Sequence, residues 1–121
     1  MLIGCFLVFE IINFTSVLSA EFMITEKQAV EIANKEIEKL KYNVKDMEIK
    51  ISRHSDPWND YLPKEDNTEY FTTRKNKLSG KTYWAVYYSK AQKPGTRTFG
   101  GDICIFIDAK TGDVLTFCRG E

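Results

Sequence analysis

Residues 24–40 read ITEKQAVEIANKEIEKL and residues 47–53 read MEIKISR, and these two stretches decide the fold class. In the first stretch, Thr25 and Gln28 have the spacing of a capping box at a helix start. Apolar residues then recur every three or four positions, with charged residues between them, which is the pattern of an amphipathic helix. The sequence therefore predicts a helix over 26–41.

After this helix the apolar period changes to two, which is typical of strands with one face in water. We predict strands at 47–53, 68–74, 81–89, 103–108 and 114–119. A helix followed by four or five antiparallel strands indicates an α+β domain in which the helix covers one face of the sheet.

The first 20 residues are almost wholly apolar and end in SVLSA. Such a run is typical of a secretory signal, which predicts export to the periplasm or cell envelope and a single mature domain at 21–121. Glu10 interrupts the run, and no basic residue precedes it. An uncleaved N-terminal anchor and an ordinary buried segment therefore stay open as alternatives.

The charge balance excludes several function classes. Seventeen basic and seventeen acidic residues cancel, whereas a dedicated nucleic-acid binder usually carries a basic excess. The chain has one histidine, so a three-histidine zinc site within it is impossible. We expect no metal and no cofactor. The charges are nevertheless segregated, because 56–69 is mostly acidic and 72–101 holds seven bases and no acid.

Cys104 and Cys118 flank the turn DAKTGD at residues 108–113, in which Gly112 is expected to be left-handed. A loop that pairs Asp108 with Asp113 sets Cys104 opposite Phe117, and the cysteines then point to opposite faces of the sheet. A three-residue loop with a bulge sets Cys104 opposite Cys118 instead. We favour the first register, and hence two free thiols rather than a disulfide.

The strand at 81–89 is rich in aromatic residues. Alternation places Tyr83 and Tyr87 on one face and Trp84 and Tyr88 on the other. A single helix covers only one face, so the second face is either closed by the polar 54–67 loop folding back or offered to a partner.

Two known families resemble parts of the chain. ITEKQAVEIA at 24–33 and IFIDAKTGDVL at 105–115 resemble the opening helix and closing hairpin of PepSY-like domains. YWAVYY at 83–88, with Gly100-Gly101 and the hairpin, is similar to NTF2-fold immunity proteins of bacterial toxin systems. Both resemblances imply a curved antiparallel sheet packed on a helix, and neither implies catalysis.

These observations predict an exported, non-enzymatic protein that binds and inhibits a protein partner such as a toxin or a peptidase. Aromatic contacts and steering charges are expected to form its binding surface: Trp58, Tyr61, Trp84 and Tyr88 as contacts, and Lys75, Lys77, Arg97, Asp60 and Asp66 as charges. The alternative is a small-ligand binder or an enzyme with an NTF2-like concave pocket, using His54 and the acids as polar groups. No nucleic-acid partner is expected, and no membrane contact beyond the possible N-terminal anchor.

Overall fold

The computed structural model describes residues 23–90 and 101–120. The elements follow one another as α1 (Glu26–Lys39), β1 (Met47–His54), α2 (Glu69–Leu78), β2 (Tyr83–Lys90), β3 (Ile103–Asp108) and β4 (Val114–Arg119). The strands form one antiparallel sheet in the order β1-β2-β3-β4. The domain is therefore α+β, as predicted, with a second helix that the sequence did not predict. Neither helix of these residues is long and apolar enough to cross a membrane.

Helix α1 begins at the predicted capping box. The backbone N–H of Gln28 donates to Thr25 Oγ1 at 3.2 Å, and that of Thr25 donates to Gln28 Oε1 at 2.8 Å. These two bonds satisfy amide groups that have no partner within the helix. The helix ends at Lys39, slightly before the predicted end, and buries Ala29, Ala33 and Ile37 against the sheet.

The sheet is the middle layer of three, with a hydrophobic core on each face. On the face under α1 lie alternate residues of β2 and β3, namely Trp84, Val86, Tyr88, Ile103, Ile105 and Ile107. The other face holds Tyr83, Ala85, Cys104, Phe106 and Cys118, which are covered by Leu62 and Leu78. The alternation predicted for β2 is therefore confirmed, and the second face is closed by the chain itself.

The strand predicted at 68–74 is wrong, because this stretch belongs to α2. The helix follows an extended Thr68, whose backbone N–H donates a hydrogen bond to the Asp66 carboxylate at 3.0 Å. Phe71 and Leu78, two turns apart on α2, both pack into the second core. This burial outweighs the strand preference of the Thr, Tyr and Phe side chains, since strand propensity depends strongly on context.

The register favoured for the last hairpin is also wrong. Asp108 N donates to Asp113 O at 2.8 Å, as that register requires, but the pairing then shifts, so that Phe106 faces Thr116 and Cys104 faces Cys118. A β-bulge inserts one extra residue and moves every later side chain to the other face. It allows both Val114 and Phe117 to pack into the core under α1. The chain therefore keeps the four-residue loop of the favoured register and, because of the bulge, has the Cys104–Cys118 pairing of the alternative.

Candidate functional site

Residues 55–67 and α2 together form an outer layer over the second face of the sheet. Asn59 organises its first part: its side-chain oxygen accepts from the backbone N–H groups of Tyr61 at 2.8 Å and Leu62 at 3.0 Å. Its amide nitrogen donates to the hydroxyl of Tyr83 at 2.9 Å, and that hydroxyl donates to Asp56 O at 2.6 Å. These bonds hold Leu62, which is fully buried, over the second core.

Lys75 joins the two parts of the outer layer. Its ammonium group donates to the backbone oxygens of Pro63 at 2.9 Å, Lys64 at 3.3 Å and Asp66 at 2.6 Å. Three carbonyl acceptors satisfy all the donors of one ammonium group. Lys75, which the sequence predicts as a steering charge, therefore holds α2 against the preceding segment.

Arg74 and Tyr70 fix α2 to the edge strand β4. The Arg74 Nε–H donates to Phe117 O at 2.6 Å, and the Tyr70 hydroxyl accepts from the backbone N–H of Arg119 at 3.0 Å. The Arg74 guanidinium also lies 3.6 Å from the centre of the Tyr70 ring, within the range of a cation–π interaction. Two side chains of α2 thus satisfy backbone groups of β4.

A cavity of about 210 Å³ opens between the outer layer and the sheet. Tyr61 and Tyr87 line it and stack on each other with ring centres 4.5 Å apart, and the Tyr87 hydroxyl donates to Asp102 Oδ2 at 2.5 Å. Cys104 and Cys118 also line the cavity. Its wall therefore combines aromatic side chains with one carboxylate, one guanidinium group and a pair of thiols.

The two thiols differ in acidity. Burial, together with the hydrogen bond to Cys118, raises the pKa of Cys104 well above its ordinary value. The pKa of Cys118 is lowered by the hydrogen bond from Cys104 and, against the effect of burial, by the Arg74 guanidinium. Cys118 is therefore the thiol that ionises first, and its thiolate accepts from the Cys104 S–H.

Two large aromatic side chains are exposed on the outer layer. Trp58 is 38% exposed and Tyr70 is 40% exposed. Each carries a cation over its ring, because the Lys64 ammonium lies 4.7 Å from the centre of the Trp58 ring and Arg74 lies over Tyr70. Tryptophan, tyrosine and arginine are the residues most enriched at binding hot spots.

The structure divides the predicted aromatic contacts. Trp58 and Tyr61 belong to the outer layer, with Trp58 exposed and Tyr61 at the cavity. Trp84 and Tyr88 lie beneath α1, where the Trp84 Nε1–H donates to Ile24 O at 3.1 Å and the Tyr88 hydroxyl donates to Asn34 Oδ1 at 2.7 Å. In this arrangement neither Trp84 nor Tyr88 is offered to a partner, because both side chains are buried in the core under α1.

The predicted steering charges are divided in the same way. Asp60 and Lys77 are exposed on the outer layer. Asp66 instead holds the start of α2, and Lys75 is engaged as described above. Arg97 lies outside the described residues.

His54 lies at the end of β1 with its ring 5.7 Å from that of Tyr83. Ser52 Oγ is 2.7 Å from His54 Nε2, a distance that suits a nucleophile and its base. A triad also needs a group that orients the base, and no carboxylate hydrogen-bonds to this ring within residues 23–90 and 101–120. Within the same ranges, no three His, Cys, Asp or Glu side chains cluster as metal ligands.

Comparisons with known proteins leave the site to be interpreted from its own geometry: no protein-family model, curated protein or solved structure matches the chain.

Tyr70 and Arg74 are the site residues that the sequence analysis missed. Their spacing of four residues is that of neighbours on a helix, where an aromatic ring and a cation can meet. Read with helical rather than strand periodicity, the segment from Tyr70 to Leu78 would have placed both on one face of a helix.

We expect the domain to lose stability as the pH rises from 10 toward 12. Burial is the main cause that raises the pKa of Tyr61 and of Tyr88 from 10.0 to about 12. The unfolded chain then loses these protons at a lower pH than the folded chain does. Their contribution to stability is complete below pH 10 and is lost as the pH rises through the folded pKa.

Urea unfolding at several pH values across this range measures the slope of the free energy of unfolding against pH. Replacing both residues, Tyr61→Phe with Tyr88→Phe, should make the slope shallower because their titration is removed. A slope as steep in the double variant as in the unaltered chain would show that other groups cause the alkaline loss.

Proposed function

We propose that the chain is a non-enzymatic binding protein that recognises a partner protein through its outer layer. The observation that carries this proposal is the exposure of Trp58 and Tyr70 on that layer, each beneath a cation. Such side chains supply a large contact area with little conformational entropy to lose.

The exposed charges of the outer layer support the same surface. Asp60 and Lys77 are exposed within the outer layer, so this layer presents charges of both signs. Charges at the rim of an interface accelerate association and select among partners more than they add affinity. A partner with complementary charge around an apolar pocket fits this arrangement.

The sequence extends the proposal to location and partner class. The apolar run at 1–20 is the basis for export to the periplasm or cell envelope. The resemblance to PepSY-like domains and to NTF2-fold immunity proteins is the basis for a curved sheet and for an inhibitory role against a toxin or a peptidase. Intact-mass measurement of the protein recovered from the envelope fraction tests whether residues 1–20 are removed.

A second candidate function rests on the cavity that Tyr61 and Tyr87 line. At about 210 Å³ it is smaller than the ~300–1,000 Å³ of ordinary ligand pockets. It suits a small aromatic or aliphatic molecule rather than a cofactor, so the binding of small molecules is the weaker of the two proposals.

The binding proposal is tested with the product of the gene adjacent to the one for this chain. We expect a stable complex at micromolar concentration by titration calorimetry, and we expect Trp58→Ala to weaken it by about tenfold or more. Ile49→Ala is the matched control, because Ile49 is 43% exposed but lies on β1 rather than on the outer layer.

Two results would contradict the proposal. If no complex forms with that product at micromolar concentration, the expected partner class is wrong. If Ile49→Ala weakens the complex as much as Trp58→Ala does, the interface lies away from the outer layer.

A further inference from the structure

We propose that Cys104 and Cys118 are a redox pair that closes to a disulfide by exchange with a low-molecular-weight disulfide, with Cys118 attacking first. The inference does not depend on the binding proposal. It concerns the sheet and its cavity rather than the exposed aromatic surface.

The strand register places the two cysteines within bonding reach. Cys104 on β3 pairs directly with Cys118 on β4, so both side chains project from the same face. Gly120 N donates to Asp102 O at 2.9 Å, and hydrogen-bonded pairs alternate along an antiparallel ladder. The cysteines are therefore the next hydrogen-bonded pair, for which Cα atoms lie about 5.5 Å apart. That separation is within the range of about 4.4–6.8 Å found in disulfides.

The surroundings of the pair favour Cys118 as the attacking thiol. Both cysteines line the cavity, but Cys118 is 7% exposed and Cys104 only 1%. Arg74 is close enough to stabilise negative charge on Cys118, and its Nε–H donates to the neighbouring Phe117 O. A thiolate, not a thiol, attacks a disulfide, so the thiol at the cavity beside a cation is the one that reacts first.

The exchange balances as two successive displacements. The Cys118 thiolate attacks one sulfur of the small disulfide, which forms a mixed disulfide and releases one small thiolate. Cys104 then gives up its proton and attacks the Cys118 sulfur, which forms the Cys104–Cys118 bond and releases the second small thiolate. The protein loses two electrons and two protons, and the small disulfide is reduced to two thiols.

The experiment uses the full chain with Cys5→Ser, so that Cys104 and Cys118 are its remaining thiols. The folded protein is incubated with bis(2-hydroxyethyl) disulfide, quenched in acid, denatured and alkylated. We expect a mass lower by two hydrogens and no alkylation. Trypsin cuts after Lys110, between the cysteines, so two peptides joined by a reducible bond identify the disulfide.

The order of attack is tested in the same background. Cys104→Ala should accumulate a mixed disulfide on Cys118. Cys118→Ala should form one on Cys104 at no more than about one tenth of that rate, because the Cys104 sulfur is more deeply buried. Circular dichroism checks that each variant is folded. If either variant does not fold, the Cys5→Ser protein, which keeps both Cys104 and Cys118, still tests whether the disulfide forms.

Two results would overturn the proposal. If both cysteines of the Cys5→Ser protein are still alkylated after treatment, the pair does not close. If the two alanine variants form mixed disulfides at equal rates, Cys118 is not the attacking thiol.

Discussion

Replacing Trp84 with alanine should lower the free energy of unfolding by about 3–5 kcal/mol. The indole is only 8% exposed, packs beneath α1, and donates its N–H to the backbone oxygen of Ile24. The substitution removes this apolar area, leaves a cavity between helix and sheet, and takes the donor away from a carbonyl at the start of α1. Urea denaturation followed by circular dichroism measures the change.

Trp58→Ala is the matched control, since Trp58 is the other of the two tryptophans in the chain and is exposed. It should cost about 1 kcal/mol or less, as is usual for surface substitutions. The two variants also separate stability from recognition: we expect Trp84→Ala to weaken folding and Trp58→Ala to weaken partner binding. Equal costs of unfolding would contradict the placement of Trp84 in the core.

Leu62→Ala should cost about 2–5 kcal/mol, because Leu62 is the fully buried side chain that residues 55–67 contribute to the second core. Without it, the second core loses an apolar side chain, and the segment is held mainly by the hydrogen bonds of Asn59 and Lys75. Denaturant unfolding gives the cost, with the exposed Ile49→Ala as the control for loss of apolar side-chain volume at the surface.

A cost below about 1 kcal/mol for Leu62→Ala would show that the segment contributes little to the closure of the second face. The measurement therefore tests the three-layer arrangement itself. The sequence alone left this point open, because a polar loop with one leucine is equally compatible with a mobile cover and with a packed one.

Local signals predicted much of the fold. The capping box at Thr25 predicted the start of α1, and the last two strands have the bounds that alternation predicted. These elements could be predicted because each is specified by residues close together in the chain. The left-handed conformation predicted for Gly112 from its place in the hairpin turn is another local signal, and Gly112 has a φ of 80°.

The errors arose where distant contacts decide the structure. Whether 69–78 is helix or strand depends on the burial of Phe71 and Leu78 against a sheet formed by other segments. The hairpin register depends on a bulge that suits the core under α1, which the hairpin residues alone do not reveal. The contacts of Lys75 were not predictable for the same reason, since its three acceptors lie on the preceding segment.

The contacts of Tyr70 and Arg74 with β4 also determine how the sheet can grow. An edge strand with free backbone groups is a template for another chain, yet Phe117 O and Arg119 N of β4 are already bonded to side chains of α2. Strand addition at this edge would have to break both bonds, whereas at β1, the other edge of the described sheet, it would not. Association through strand pairing is therefore favoured at β1 over β4.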